Sequence, residues 1–81
     1  MRKEICIIIG GQIRDLERIL ASYDVEVFEQ VRMNDAVKMA IQLEKEGVQA
    51  IISTWGTAAE MEKYISIPVI RANPTYFDLL E

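Results

Sequence analysis

Short apolar runs divide the chain, and helical periodicities fill the spaces between them. Ile5-Cys6-Ile7-Ile8-Ile9 is β-branched, continuous rather than alternating, and stopped by Gly10-Gly11, the pattern of a strand buried on both faces in a parallel sheet. From Gln12 to Tyr23 the apolar residues Ile13, Leu16, Leu20 and Tyr23 recur at helical spacing, while Arg14, Asp15, Glu17 and Arg18 fill the other side. That spacing predicts a surface helix packed on the sheet. Val25-Glu26-Val27-Phe28 reads as a shorter, partly alternating strand. Asn34 followed by Asp35 predicts an N-cap with a first-turn acid. The helix it opens runs through Val37, Ala40, Ile41 and Leu43 and stops at Gly47, a residue that takes the left-handed C′ conformation without steric cost.

Ala50-Ile51-Ile52-Ser53 is a third buried strand and Thr54-Trp55-Gly56 a loop. Thr57 with Glu60 three residues on predicts a capping box opening a third helix, whose inner face is Met61, Tyr64 and Ile65. Ile67-Pro68 biases the chain to an extended conformation, so Val69-Ile70-Arg71 begins as a fourth strand. Asn73-Pro74 then breaks it, and Thr75 can cap a final turn. Strict alternation of strand and helix specifies right-handed crossovers, a parallel sheet and helices on both faces. The expectation is a three-layer, doubly wound α/β fold with four parallel strands in the order two-one-three-four. Ile7 and Ile52 should be among its most buried residues, and the fourth strand should be an edge.

Length and charge narrow the possibilities further. The 81 residues have room for one core, so residues 1–81 form a single lobe. Nine Lys plus Arg against thirteen Asp plus Glu give a net charge of −4, which provides no broad electropositive surface for phosphates along a duplex. An apolar fraction of 51% and a charged fraction of 27% exclude a disordered chain and predict a folded, soluble domain. The single cysteine, Cys6, sits mid-strand, which predicts a buried thiol in a reducing compartment, the cytoplasm. Without histidine, zinc sites, a Ser-His-Asp triad and a Cys-His nucleophile are out of reach. No metal, cofactor or catalytic residue is expected. The longest uncharged apolar stretch, Ile5 to Ile9, falls far short of the roughly 20 residues of a membrane helix.

Candidate chemistry concentrates where an open parallel sheet places it, beyond the carboxyl ends of neighbouring strands whose connections leave for opposite faces. Gly10-Gly11-Gln12 and Ser53-Thr54-Trp55-Gly56-Thr57 meet there if the first and third strands are central neighbours. Each feeds a predicted helix N-terminus, which favours a small carboxylate or phosphate. The glycines also have a purely structural reading as turn residues, and Thr57 has one as a cap. Trp55 has no periodic partner in either adjoining element, so a contact surface fits it better. Met33, Met39 and Met61 read as packing residues. A phosphate-accepting receiver needs an aspartate where Ser53-Thr54 stands. Neither a P-loop nor a dinucleotide fingerprint is present.

The stretch from Gly47 to Leu80, GVQAIISTWGTAAEMEKYISIPVIRANPTYFDLL, resembles the N-terminal sensory domain of the propionate catabolism activators, sigma-54-dependent transcriptional regulators. The resemblance rests on Ile51-Ile52-Ser53 followed by Gly56-Thr57-Ala58, on Ile67-Pro68-Val69, and on Tyr76-Phe77-Asp78-Leu79-Leu80. It implies one flavodoxin-like lobe of a two-lobe sensor, with a methylcitrate-like carboxylate between the lobes. It also implies ATPase and helix-turn-helix DNA-binding domains in the full-length chain. Ser53, Gly56, Thr57 and Asp78 match the family pattern position by position. Thr54-Trp55 replaces the family's Arg-Gly, so the cation that would pair bidentately with a carboxylate is missing there.

These readings converge on a ligand-sensing lobe that shifts a regulator between two states by binding a small anionic metabolite, without catalysis. Two alternatives stand beside it. One is a lobe of an aspartate-racemase-like enzyme, a family that needs an acid-base cysteine these loops do not offer. The other is an oligomerisation module with no small ligand. The resemblance further implies self-association, since Trp55, Tyr76, Phe77, Leu79 and Leu80 and the edge strand would be left for a second copy to cover. The alternative is that the Tyr76 to Leu80 turn folds back over its own sheet and makes a monomer sufficient.

Overall fold

The computed structural model describes residues 3–12 and 15–72. Its elements, in chain order, are β1 (Ile5–Ile8), α1 (Leu16–Ile19), β2 (Val25–Phe28), α2 (Met33–Lys45), β3 (Ala50–Ser53), α3 (Trp55–Met61) and β4 (Val69–Arg71). The strands form one parallel sheet in the order β2-β1-β3-β4, so among the described residues β1 and β3 are the central pair and β4 is an edge. Ile13, Asn73-Pro74, Thr75, the Tyr76 to Leu80 segment and Asp78 lie outside the described residues.

Side chains that alternate along the strands feed two separate cores. On one face Cys6, Ile8 and Ile51 pack with Ala36, Ala40 and Leu43 of α2, Val48 and Met61 of α3. On the other, Ile7 and Ile9 pack with Leu16, Ile19, Leu20 and Ala72. Helices therefore cover both faces, which makes the fold a three-layer, flavodoxin-like α/β arrangement. Each fully buried isoleucine contributes roughly 1.5–3 kcal/mol by leaving water, and Ile7 and Ile8 of β1 and Ile9 just after it are at most 1% exposed. Ile52, expected beside Ile7 at the bottom of the exposure scale, is only half-buried. It packs against the α1-side core from the margin of that cluster.

That helix departs most from expectation. Instead of spanning Gln12 to Tyr23, α1 is four residues long and starts from Asp15 with φ 57°, a left-handed residue that cannot continue a helix running in from Gln12. Tyr23 is 48% exposed, since the helix has ended before it. The start of α2 also moves. Arg32 is the extended residue before the helix, Met33 is the first helical one, and no side chain caps it. Asn34 is thus already inside. Met33, expected to pack, is exposed because that earlier start places it at the mouth of the helix.

The other end of α2 follows the sequence closely. Gly47 has φ 97°, its N–H donates to the Glu44 carbonyl at 3.2 Å, and the Val48 N–H donates to the Leu43 carbonyl at 3.1 Å. This is the Schellman pattern, with Val48 and Leu43 meeting in the same core as the motif requires. No atom lies within 4 Å of the position a Gly47 Cβ would take, so backbone conformation alone demands glycine. Gly47→Ala is expected to lower unfolding free energy by about 1–2 kcal/mol, measured as a lower urea midpoint with an unchanged slope.

Candidate functional site

The parallel register places the carboxyl ends of the strands in one row. Phe28 pairs with Ile8, Ile8 with Ser53, and Ser53 with Arg71. Beyond that row the two candidate loops leave β1 and β3 side by side. Ser53 is buried, and its hydroxyl donates to the Ile8 carbonyl at 2.5 Å, tying the central strands together beneath the loops. Among the described residues no buried side-chain nitrogen or oxygen lacks a partner.

Thr54 is the extended residue before α3, and Trp55 and Gly56 are helical, not a loop. Because β3 passes directly into the helix at Thr54, Thr57 is an interior helical residue and cannot be an N-cap. No side chain caps α3, and Glu60 pairs instead with Lys63 at 3.1 Å. Thr57 turns inward and is buried, its Oγ1 3.9 Å from where a Gly10 Cβ would stand. Tyr64, expected on the inner face, is 55% exposed, since α3 ends at Met61 and the chain has left helical spacing.

Gly10, Gly11 and Gln12 are not in the first turn of α1, which starts at Leu16 after the left-handed Asp15. Their loop is held against the one that follows β2. The Gln30 N–H donates to the Gly11 carbonyl at 2.9 Å, the Val31 N–H to the Ile9 carbonyl at 3.0 Å, and the Gln30 side-chain amide to Gln12 Oε1 at 3.2 Å. Gly10, Gly11 and Gly56 are exposed, and none has a positive φ. A methyl group would meet only ordinary contacts at Gly10 and Gly56 and open space at Gly11. Turn geometry therefore does not explain these glycines, and neither does tight packing.

Trp55 is 59% exposed, and the Arg71 guanidinium carbon lies 5.6 Å from its ring centroid, within cation–π range. The same guanidinium forks onto Glu62, Nε to Oε1 at 3.3 Å and Nη2 to Oε2 at 2.5 Å. This hydrogen-bonded arginine holds the Glu62 carboxyl below its ordinary range, and Glu62 raises the Arg71 pKa in return. Sequence reasoning had not singled out Arg71, Glu62 or Gln30. Arg71 ends the strand beside Ser53, but its place over Trp55 depends on how α3 lies against β4. The open depressions lined by Lys3, Tyr23 and Val25 and by Asn34, Lys38 and Tyr64 do not include these loops. Among the described residues no group of three or more acidic, histidine or cysteine side chains could hold a metal ion, and no helix is long and apolar enough to cross a membrane.

Ser53→Ala should cost about 1 kcal/mol in thermal or chemical unfolding, the net worth of one buried hydrogen bond, while leaving the strand order intact. Acid should release Arg71 from Glu62. A carboxylate with a depressed folded pKa stabilises the native state above its unfolded value, about pH 4.3, and that contribution is lost as pH falls through the lower folded value. Trp55 fluorescence is expected to change in that window, and Glu62→Gln to remove the transition.

A family model described as propionate catabolism activator matches residues 21–81, a stretch that holds β2 through β4 and therefore Ser53, Thr54, Trp55, Gly56 and Thr57, with Gly10 to Gln12 lying before it. No curated protein and no solved structure matches the chain. With well over half of its length matched, the chain belongs to the propionate catabolism activator family, as the N-terminal sensory domain of these regulators.

Proposed function

We propose that this lobe is the effector-sensing part of a sigma-54-dependent transcriptional regulator in the cytoplasm, and that it binds a small anionic metabolite in the crevice beyond β1 and β3. The observation that carries the reading is the set of bare glycines. Gly10, Gly11 and Gly56 stand exposed around the crevice without a backbone or packing need for glycine. Their retained use is to let a ligand approach main-chain N–H groups closely. Trp55 supplies an exposed aromatic wall, and the Ser53 bond to Ile8 fixes the floor.

Sensing follows from differential affinity. A metabolite that binds one arrangement of the regulator more tightly than another shifts the balance between them by that difference and no more. ATPase and DNA-binding domains of the full-length regulator would read the shift. The family is one of regulators, and Cys6 is buried within β1, away from the loops where racemase-like chemistry would need it. One lobe offers only part of the walls of such a site, so affinity for this chain alone should be weak, with Kd on the order of 1 mM.

Titration with succinate, citrate and inorganic phosphate tests the reading. Backbone amides of Gly11, Gly56 and Thr57 and the Trp55 indole should shift together in NMR spectra. Gly11→Ala should leave stability within about 0.5 kcal/mol, because its Cβ enters open space, yet weaken anion binding. If none of these amides moves at tens of millimolar anion, the crevice does not bind anions.

A further inference from the structure

Arg71 is not part of either crevice loop, but three observations bring it to the site. It ends β4 in register with Ser53, its guanidinium lies over the ring of Trp55, and Trp55 directly precedes Gly56. The same guanidinium already grips a carboxylate through two of its nitrogens, and both partners of that pair are 38% exposed. A planar two-oxygen acceptor therefore fits the fork in this position. Exposed ion pairs are individually weak and exchange with solvent and solutes.

We infer that Arg71 is the cation that recognises a carboxylate ligand, that Trp55 is the platform on which it lies, and that Glu62 is an internal carboxylate which the ligand displaces. The inference rests on the reading of the crevice as an anion site and names the group that gives it selectivity. Guanidinium suits the task because its fork pairs with both carboxylate oxygens and its flat face stacks on an aromatic ring. Thr54-Trp55 holds no cation, and β4 supplies one from the side. Glu62 keeps the unliganded guanidinium oriented and sets a threshold, since a ligand must outcompete a carboxylate tethered within the same lobe.

Succinate titrations of the whole chain, followed by the Gly56 and Thr57 amides and by Trp55 fluorescence, separate the possibilities. Circular dichroism of each variant confirms that these surface substitutions leave the fold in place. Arg71→Gln is expected to weaken succinate binding by about tenfold or more, the usual effect of losing a hydrogen-bonded charged partner. Arg71→Lys should recover only part of it, because a point charge cannot fork. Glu62→Gln should tighten binding by about two- to fivefold, the worth of an exposed ion pair removed as competitor. Arg71→Gln binding as well as wild type, with the Gly56 and Thr57 amides still moving, would overturn the role of Arg71 and leave the crevice reading standing. No amide shift in the wild-type chain removes both. Glu62→Gln binding no tighter than wild type overturns the displacement.

Discussion

The lobe depends on the pairing of β1 with β3. Both strands are central, and each sends side chains to two cores, so their register decides which residues are buried and which reach the carboxyl edge. The Ser53 hydroxyl on the Ile8 carbonyl sits at the point where a slip would be most damaging. A one-residue shift of β1 would reverse its faces, moving Cys6 and Ile8 into the α1 layer and breaking that bond. The row Phe28, Ile8, Ser53 and Arg71 follows from this pairing, and so does the meeting of the two glycine-bearing connections above it.

Local rules and tertiary ones divide cleanly in this chain. β1 and β3 were legible as short, continuous apolar runs bounded by turn residues, the mark of central strands in a parallel sheet, whereas β2 showed partial alternation and β4 was placed by the extended bias of Ile67-Pro68. The end of α2 was legible because a left-handed residue closing a Schellman motif leaves few candidates besides glycine. Helix starts were not. Asn34 and the Thr57–Glu60 pair have the composition of caps, yet the chain enters α2 at Arg32 and α3 at Thr54, where strand ends and layer spacing dictate the turn. The apolar spacing from Gln12 to Tyr23 read as one long helix, but Asp15 in a left-handed conformation and the early exit at Ile19 leave α1 a single turn. Periodicity reports which face is apolar, and says less about how far the backbone stays regular.

The candidate site shows the same division. Gly10, Gly11 and Gly56 stood in the sequence between a turn role and a ligand role until the backbone angles and open surroundings removed the first, while Trp55 was visible there as a residue without a periodic partner. Arg71 was not, since its meaning depends on which residue of α3 lies beside the end of β4. Glu62 is seven positions after Trp55, two turns along one side of the chain as it leaves α3, so a single long arginine side chain can touch both. That geometry joins a hydrophobic surface and an ion pair in one exposed cluster, and the chemistry of each changes if the other is removed.

The brevity of α1 has its own consequence. An isolated helix shorter than about 12 residues has little intrinsic stability in water, so this turn persists only through the anchorage of Leu16, Ile19 and Leu20 against Ile7 and Ile9. On the opposite face, α2 has 13 residues and a closed end. The two outer layers therefore differ in their local opening free energies, and amide exchange should be faster on the α1 side than across α2. A lobe built this way has a firm back, carried by α2, and a yielding front, carried by the single turn of α1.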